Sequence, residues 1–479
     1  MTAVASLRQR TVHSFGWQVL GIGGQRMIQF LGLVVVWRLL RKEDIGLFAV
    51  VLSGIAAIDA LTAFTGEQSQ IHSERGAERQ FLDTVFTVRI VRGIAVALIL
   101  AALAPAFEWF FAEGRSDRYW LTGLFLALSG NCLCEAIQSP ARAARIKELD
   151  FRRVALGDLG AALFGTGIQV GLAWMWRDVW ALVVGQIVST LLRSAASYVV
   201  APYRPRLHID RTSFRELMRY SLRGAGTPFL LMLIAQAPVL VLGKIYHDAL
   251  LAVYTSCDRL SKLPEEVCLR VLAPVAIPAY AKLNNDPSRL ANAWLNAIRA
   301  ILLLGVPGTV TLFWIGNALP AVAFGDDVGA IAWLFPLLAV RGGFAGTNSV
   351  IGPLFWAIGE PHKDRRVQLV RVVLLYAIGV PMAWEFGASG FAFAAAFAIA
   401  CALAISLGLA LRRLQLPLRA LGPPAAAALA LGLLQGALLG ACSLACTPHG
   451  WARVLIGTAV GALTLGAIAL RGDLLRRGD

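Results

Sequence analysis

SFGWQVLGIGGQRMIQFLGLVVVWRLL, residues 14–40, is apolar over a length that a soluble helix has no use for. A run of ~20 mostly apolar residues matches the ~30 Å hydrocarbon layer of a bilayer. It is also too long for the core of a cleavable signal peptide, although Arg8 and Arg10 precede it, so it reads as a first membrane span. Similar runs follow at roughly 44–64, 84–106, 118–139, 154–175, 179–200, 221–246, 249–279, 294–316, 329–358, 367–385, 388–411, 422–444 and 452–470. Only helices and closed barrels satisfy their backbone polar groups in lipid, and these runs are too long for barrel strands. The expectation is an all-α polytopic membrane protein of about fourteen transmembrane helices.

Composition agrees. Of 479 residues, 57% are hydrophobic and 15% charged, against about 25% charged in a soluble domain. The formal net charge of +15 could suit a nucleic-acid binder, but the basic residues fall in alternate loops, without a stripe of interleaved aromatics. One set of loops holds Arg142, Arg145, Lys147, Arg152 and Arg153, then Arg204, Arg206, Arg211, Arg215 and Arg219, then Lys363, Arg365 and Arg366, then Arg412, Arg413 and Arg419. The tail adds Arg471, Arg476 and Arg477, whereas the opposite loops hold only scattered Arg41, Lys42, Arg115, Arg118 and Arg177. By the positive-inside rule both termini are cytoplasmic. Nucleic acid is not an expected partner.

The chain also reads as built twice. LVVVWRLLRKEDIGLFAV (33–50) and PVLVLGKIYHDALLAVY (238–254) each join two apolar spans through a basic residue and a short loop with Asp. Repeats with an even number of spans give parallel halves, with a substrate site between them. The lobes are expected at 1–203 and 204–411, followed by two helices and a tail at 412–479.

Several chemistries find no residues to support them. No GxxxxGK loop offers ATP hydrolysis, and the glycines of GTGIQVG (165–171) suit close helix packing. Cys132, Cys134, Cys257, Cys268 and Cys401 sit in apolar runs as small buried residues; Cys442 and Cys446 lie near an outer loop, where a disulfide is conceivable. Neither a metal site nor a cofactor is expected. The outer loops are short and poor in paired carboxylates or His, which argues against a membrane-embedded polymerase or ligase.

Ionisable groups deep in spans are costly and mark cavities or partners. Arg26 lies about 18 Å into the first span at ~1.5 Å per residue, with Gln18, Gln25 and Gln29 on its face. Arg341 sits beside Gly342-Gly343, ahead of Thr347, Asn348 and Ser349, and Asp59, deep in the second span, offers a counter-charge. In the eighth span Arg259, Lys262, Glu266 and Arg270, spaced +3, +4 and +4, share one helical face, with Asp258 and Glu265 to its sides. Such a stripe lines a wet cavity, pairs internally, or belongs to an interfacial or re-entrant segment. The preferred arrangement is a cationic cavity of Arg26, Arg259, Lys262, Arg270 and Arg341, lined also by Gln25, Gln29 and Asn348, with Asp59 and Glu266 available for counter-charge or coupling. Arginine suits phosphate or pyrophosphate, because its planar fork makes paired charge-assisted hydrogen bonds.

RLLRKEDIGLFAVV (38–51) resembles the first-to-second-span signature of Wzx-type polysaccharide flippases in the multidrug/oligosaccharidyl-lipid/polysaccharide exporter superfamily. ELDFRRVALGDLGAALFGTGIQVGLAW (148–174) and VWALVVGQIVSTLLRSAASYVVAPYRPRL (179–207) resemble its fifth and sixth spans. LAVYTSCDRLSKLPEEVCLRVLAPVAIPAYAKL (251–283) resembles its eighth, and NSVIGPLFWAIGEPHKDRR (348–366) the end of its tenth. The resemblance implies two parallel six-helix lobes around a central cavity, plus two extra C-terminal helices. It implies alternating-access transport of a lipid-pyrophosphate-linked oligosaccharide to the outer leaflet of a bacterial inner (cytoplasmic) membrane, for surface polysaccharide such as exopolysaccharide, capsule or O-antigen. Partners would be that substrate, membrane lipids, and polysaccharide polymerase and chain-length components. The alternative is a cation-coupled multidrug antiporter of the same superfamily, which would call for acidic rather than basic cavity residues.

Overall fold

The computed structural model describes residues 2–62, 70, 73, 75–111, 121–147, 150–224, 226–246, 248–262, 265, 280, 283, 286–316, 318–325, 333–446 and 450–470. Among them all regular structure is helical. Eight of the helices are long and apolar enough to cross a bilayer. The chain forms two compact units, Met1–Ala252 and Val253–Asp479.

The first unit contains α1 (Thr2–Leu39), α2 (Lys42–Leu61), α3 (Arg79–Phe111), α4 (Leu121–Ala136), the short α5 (Ala141–Lys147), α6 (Phe151–Trp176), α7 (Val179–Val200), α8 (Arg211–Gly224) and α9 (Thr227–Ile245). Between helices in lipid, small residues allow the close approach that dispersion requires. A β-carbon at Gly21 would stand 2.7 Å from that of Ala155, and one at Gly32 would stand 2.1 Å from a Thr166 methyl, so α1 runs parallel to α6 at very short range. The pairs Gly165–Ser189 and Gly185–Gln169 instead advance in opposite directions, making α6 and α7 an antiparallel hairpin. Its turn places Arg177 in the left-handed region (φ 50°), and the Asp178 side chain accepts from the Trp180 amide to start α7. α9 belongs to this unit: Lys244 Nζ donates to the Phe110 carbonyl of α3 at 2.8 Å. Large side chains such as Leu20, Met27, Leu31, Trp174 and Met175 point outward, as lipid-facing surfaces require.

The second unit begins within α10 (Asp248–Ser261) and continues through α11 (Pro287–Ile315), α12 (Ala318–Phe324), α13 (Phe335–Asn348), α14 (Ile351–Ala357), α15 (Pro361–Arg413), α16 (Gly422–Cys446) and α17 (Gly450–Leu470). Both halves of the sequence repeat share a local design. α1 gives way to α2 and α9 to α10 across two residues, and α2 opens with Glu43 and Asp44 at its positive end.

α15 is a hairpin of two helical arms that meet at Gly387. Gly387 adopts φ 68° and ψ −150°, a conformation essentially confined to glycine. A β-carbon at Gly390 would lie 2.1 Å from the Met382 carbonyl oxygen, and one at Gly379 would lie 3.3 Å from the Phe391 ring. Farther out, Val367 packs with Ile399 and Ala402, and Arg413 Nε meets Glu360 Oε1 at 3.0 Å. These pairings close symmetrically about Gly387, which is where the hydropathy reading divides 367–385 from 388–411. α11 is the hub of the unit: α16 packs along it through Gly432 on Val306, and Gln435 Nε2 donates to Thr311 Oγ1 at 2.6 Å. α17 packs antiparallel to α11 through Gly457 on Ile315 and Gly461 on Thr311.

Candidate functional site

The densest buried polar group lies in the second unit, between α10 and α13. Gly342 lets the helices meet: a β-carbon there would stand 2.3 Å from the Ser261 carbonyl oxygen. With Gly346 one turn on, α13 presents a small-xxx-small face to α10. That contact aims Arg341 directly at α10. Its Nη2 lies 2.8 Å from Asp258 Oδ1 and donates to Ser261 Oγ at 3.1 Å. The other carboxylate oxygen of Asp258 meets Lys262 Nζ at 2.5 Å. Arg341 is 5% exposed and Asp258 6%. Arg341 Nε has no hydrogen-bond acceptor among the described residues, so the guanidinium keeps one donor in reserve.

A second buried guanidinium lies nearby. Arg371, on the first arm of α15, is 8% exposed and forms neither an ion pair nor a hydrogen bond with the described residues. The charges that act on it are those of Glu265, Arg341 and Asp258. Gln368, one turn earlier on the same face, donates to Asp364 Oδ1 at 3.3 Å and leaves its own buried Oε1 without a partner. A guanidinium stays charged at any physiological pH, so this one carries a large desolvation cost. Tyr254, Asp258, Ser261 and Glu265 follow one another at +4, +3 and +4, making one face of the eighth span the acidic and polar side of the cluster.

Among the sequence candidates, Arg341 and Lys262 are therefore brought together, on Asp258. Arg259 projects from the exposed side of α10, about 100° around the helix from Asp258. The inward face is thus the neighbouring one, with Asp258 at its centre rather than to the side. Glu266 and Arg270 lie outside the described residues. Asn348 is buried and accepts from Ser406 Oγ at 2.7 Å, tying α13 to the second arm of α15.

In the first unit Arg26 is half-buried, with Nη1 3.5 Å from Gln29 Oε1, and Gln25 is half-buried beside it. The side chain of Gln18 lies outside the described set. Asp59 stands in the last turn of α2, not at mid-depth, because α2 ends at Leu61. Its partner is Arg92, which also donates to the Asp59 and Thr62 carbonyls at 3.0 and 2.9 Å. Arg92 thereby satisfies the open carbonyls at a helix C-terminus, where a cation is favoured. Arg142 and Asp158 form a further pair at 2.7 Å.

Sequence patterning missed Arg371 and undervalued Asp258. Arg371 stands alone in an apolar run, and only its depth, about 15 Å into α15 at ~1.5 Å per residue, could have singled it out.

A family profile described as "Polysaccharide biosynthesis protein" matches residues 35–330. The chain is 24% identical over 351 residues to the succinoglycan biosynthesis transport protein ExoT of Rhizobium meliloti (strain 1021), covering 72% of this chain and 69% of that protein. It is 23% identical over 392 residues to the lipopolysaccharide biosynthesis protein WzxC of Escherichia coli (strain K12), covering 80% and 78%. Among solved structures, the lipid II flippase MurJ in an inward closed conformation superposes with a TM-score of 0.71 at 13% identity, covering 95% of this chain and all of that one. An inward-facing MATE-family multidrug transporter of the MOP superfamily superposes at 0.64 with 16% identity, covering 82% and 94%. The fold is shared by both kinds of transporter.

Proposed function

Since the chain belongs to the polysaccharide biosynthesis protein family and has a transporter fold, we propose that it is a flippase for undecaprenyl-pyrophosphate-linked oligosaccharide repeat units. It is a transporter and not an enzyme, and the resemblance to Wzx-type flippases of the multidrug/oligosaccharidyl-lipid/polysaccharide exporter superfamily holds along most of its length. Relatives named for succinoglycan, lipopolysaccharide and amylovoran biosynthesis support a role in surface polysaccharide assembly. The lobes 1–203 and 204–411 would rock to move the glycan from the cytoplasmic to the periplasmic leaflet, with both termini cytoplasmic and 412–479 appended.

The observation that carries this reading is an excess of cation over anion among the described residues of the cluster: Arg341, Lys262 and Arg371 stand against Asp258, already engaged by two of them, and Glu265. Arg259 adds a further cation on the exposed side of α10, the sequence reading adds Arg26 and Arg270 as candidates, and Arg forks suit a pyrophosphate. The antiporter alternative would want a buried acid free to take a cationic drug. Asp258 is the buried acid among the described residues of the cluster, and it already holds two protein cations.

Reconstituted protein should move an undecaprenyl-pyrophosphate glycan between leaflets, and an Arg259→Ala/Arg341→Ala variant should move it at least tenfold more slowly. A double variant that transports at the wild-type rate removes these cations from the mechanism. A deletion strain should accumulate one lipid-linked repeat unit.

A further inference from the structure

The segment between α7 and α9 is a built surface with a chemistry of its own. Residues 201–210 run without regular structure from the end of α7 into α8, yet they are fastened to the first turns of α3. Tyr203 Oη donates to Asp83 Oδ1 at 2.6 Å. The His208 amide donates to Thr87 Oγ1 and the Asp210 amide to Thr84 Oγ1, each at 2.9 Å. Leu217 of α8 is fully buried against Phe81 and Val85 of α3. Asp210 caps α8, accepting from the Ser213 amide and hydroxyl at 2.9 and 2.7 Å. The segment is therefore held in one arrangement on the first unit.

What it turns outward is basic and apolar side by side. At 100° per residue, α8 shows a buried sector of Ser213, Leu217 and Ser221, then Phe214 and Met218, then the exposed stripe Arg211, Arg215 and Arg219. Arg204 and Arg206 are exposed just before it, as are Leu207 and Ile209, at 73% and 49%. Both flanking helices, α7 and α9, are long and apolar enough to span, so a linker this short stays at the membrane surface. A helix with arginines beside an apolar edge lies at the level of lipid headgroups, its apolar side chains dipping toward the acyl boundary.

We propose that residues 204–219 bind the anionic phospholipid headgroups of the adjacent leaflet. The guanidinium stripe repeats every ~6 Å along α8 and pairs with lipid phosphodiesters, while Phe214, Met218, Leu207 and Ile209 enter the headgroup layer. A soluble acidic partner would explain the arginines but not the apolar edge. Because α8 is pinned to α3, lipid bound here bears on the first unit directly. This surface is separate from the buried cations of the second unit, and its occupant does not depend on the glycan carried.

The test uses full-length purified protein in neutral detergent, with a fluorescent phosphatidylglycerol or phosphatidylcholine probe. Each surface arginine contributes roughly fivefold to the association of a basic segment with anionic lipid. The Arg211→Gln/Arg215→Gln/Arg219→Gln variant should therefore bind the phosphatidylglycerol probe at least tenfold more weakly, with phosphatidylcholine binding unchanged. Arg412→Gln/Arg419→Gln, which removes cations from an exposed site on the second unit, should keep the wild-type affinity. Unchanged circular dichroism and melting temperature would show that the triple variant is folded. Three outcomes overturn the proposal: phosphatidylglycerol affinity within twofold of wild type in the triple variant, an equal loss in the control, or displacement of the probe by free phosphate as readily as by unlabelled lipid.

Discussion

Arg341 and Asp258 meet at 2.8 Å in the interior of the second unit, and neither reaches the other without the glycine that follows Arg341. Two oppositely charged groups are thus committed to each other by a backbone contact. Removing one partner strands the other. Asp258→Ala should destabilise the folded protein by about 3–5 kcal/mol, read as a loss of melting temperature in detergent. Asp258→Leu/Arg341→Leu should recover most of that stability and still fail to transport. Equal stability of the single and double variants would show that the pair is not coupled.

Gly342 makes a second expectation. A methyl group there meets the Ser261 carbonyl oxygen, so Gly342→Ala must push α10 and α13 apart. The expected penalty is about 1–3 kcal/mol, together with a loss of transport. Gly305→Ala is the control, since a β-carbon at Gly305 meets nothing within 4 Å.

Arg371 reverses the usual relation between stability and activity. A buried guanidinium with neither an ion pair nor a hydrogen bond among the described residues is costly, so Arg371→Met should raise stability by roughly 1–3 kcal/mol. Glycan transport should fall in the same variant. Thermal melting and a flipping assay on the same preparation decide it; a stabilised and fully active variant would leave Arg371 without a role.

Gly387 holds the hairpin of α15 in a backbone region that other residues avoid. Gly387→Ala should cost about 1–3 kcal/mol and loosen the ends of both arms. Hydrogen exchange around residues 383–391 would register the change.

Asp210 sets a pH dependence outside the membrane. Hydrogen bonds from the Thr212 and Ser213 hydroxyls, and then from the Ser213 amide, hold its carboxyl well below the ordinary 3.8. A depressed acid adds stability that is complete above the unfolded value and is lost as pH falls through the folded one. The Ser213 amide should therefore stay equally protected from pH 7 to pH 5 and lose protection only in strong acid. Asp210→Asn should remove that acid transition.

Hydropathy was enough for the eight helices long and apolar enough to cross a bilayer, because lipid imposes a length and an apolar composition on each. The α15 hairpin could be placed from sequence since Glu385, Gly387, Ser389 and Gly390 interrupt an otherwise apolar run. The site was less legible for a geometric reason. Residues 258 and 259 differ by 100° around one helix, and sequence spacing alone reports that difference without saying which face turns inward. That choice is made by Gly342 on another helix. For the same reason Asp59 looked available until α2 ended two residues later and Arg92 paired with it. Hydropathy also gives no sign for an isolated arginine in an apolar run, such as Arg371, whose setting is made by charges on other helices.

The α15 hairpin has a consequence for how the protein is made. Its pairings, from Met382 with Gly390 out to Glu360 with Arg413, join residues of one short continuous stretch. Contacts that are local in sequence form quickly and need no other part of the chain. Once Arg413 has left the ribosome, both arms can enter the bilayer together as a finished pair. The first arm would then carry Arg371 into the membrane together with the second, so that this cation does not enter lipid on a single helix.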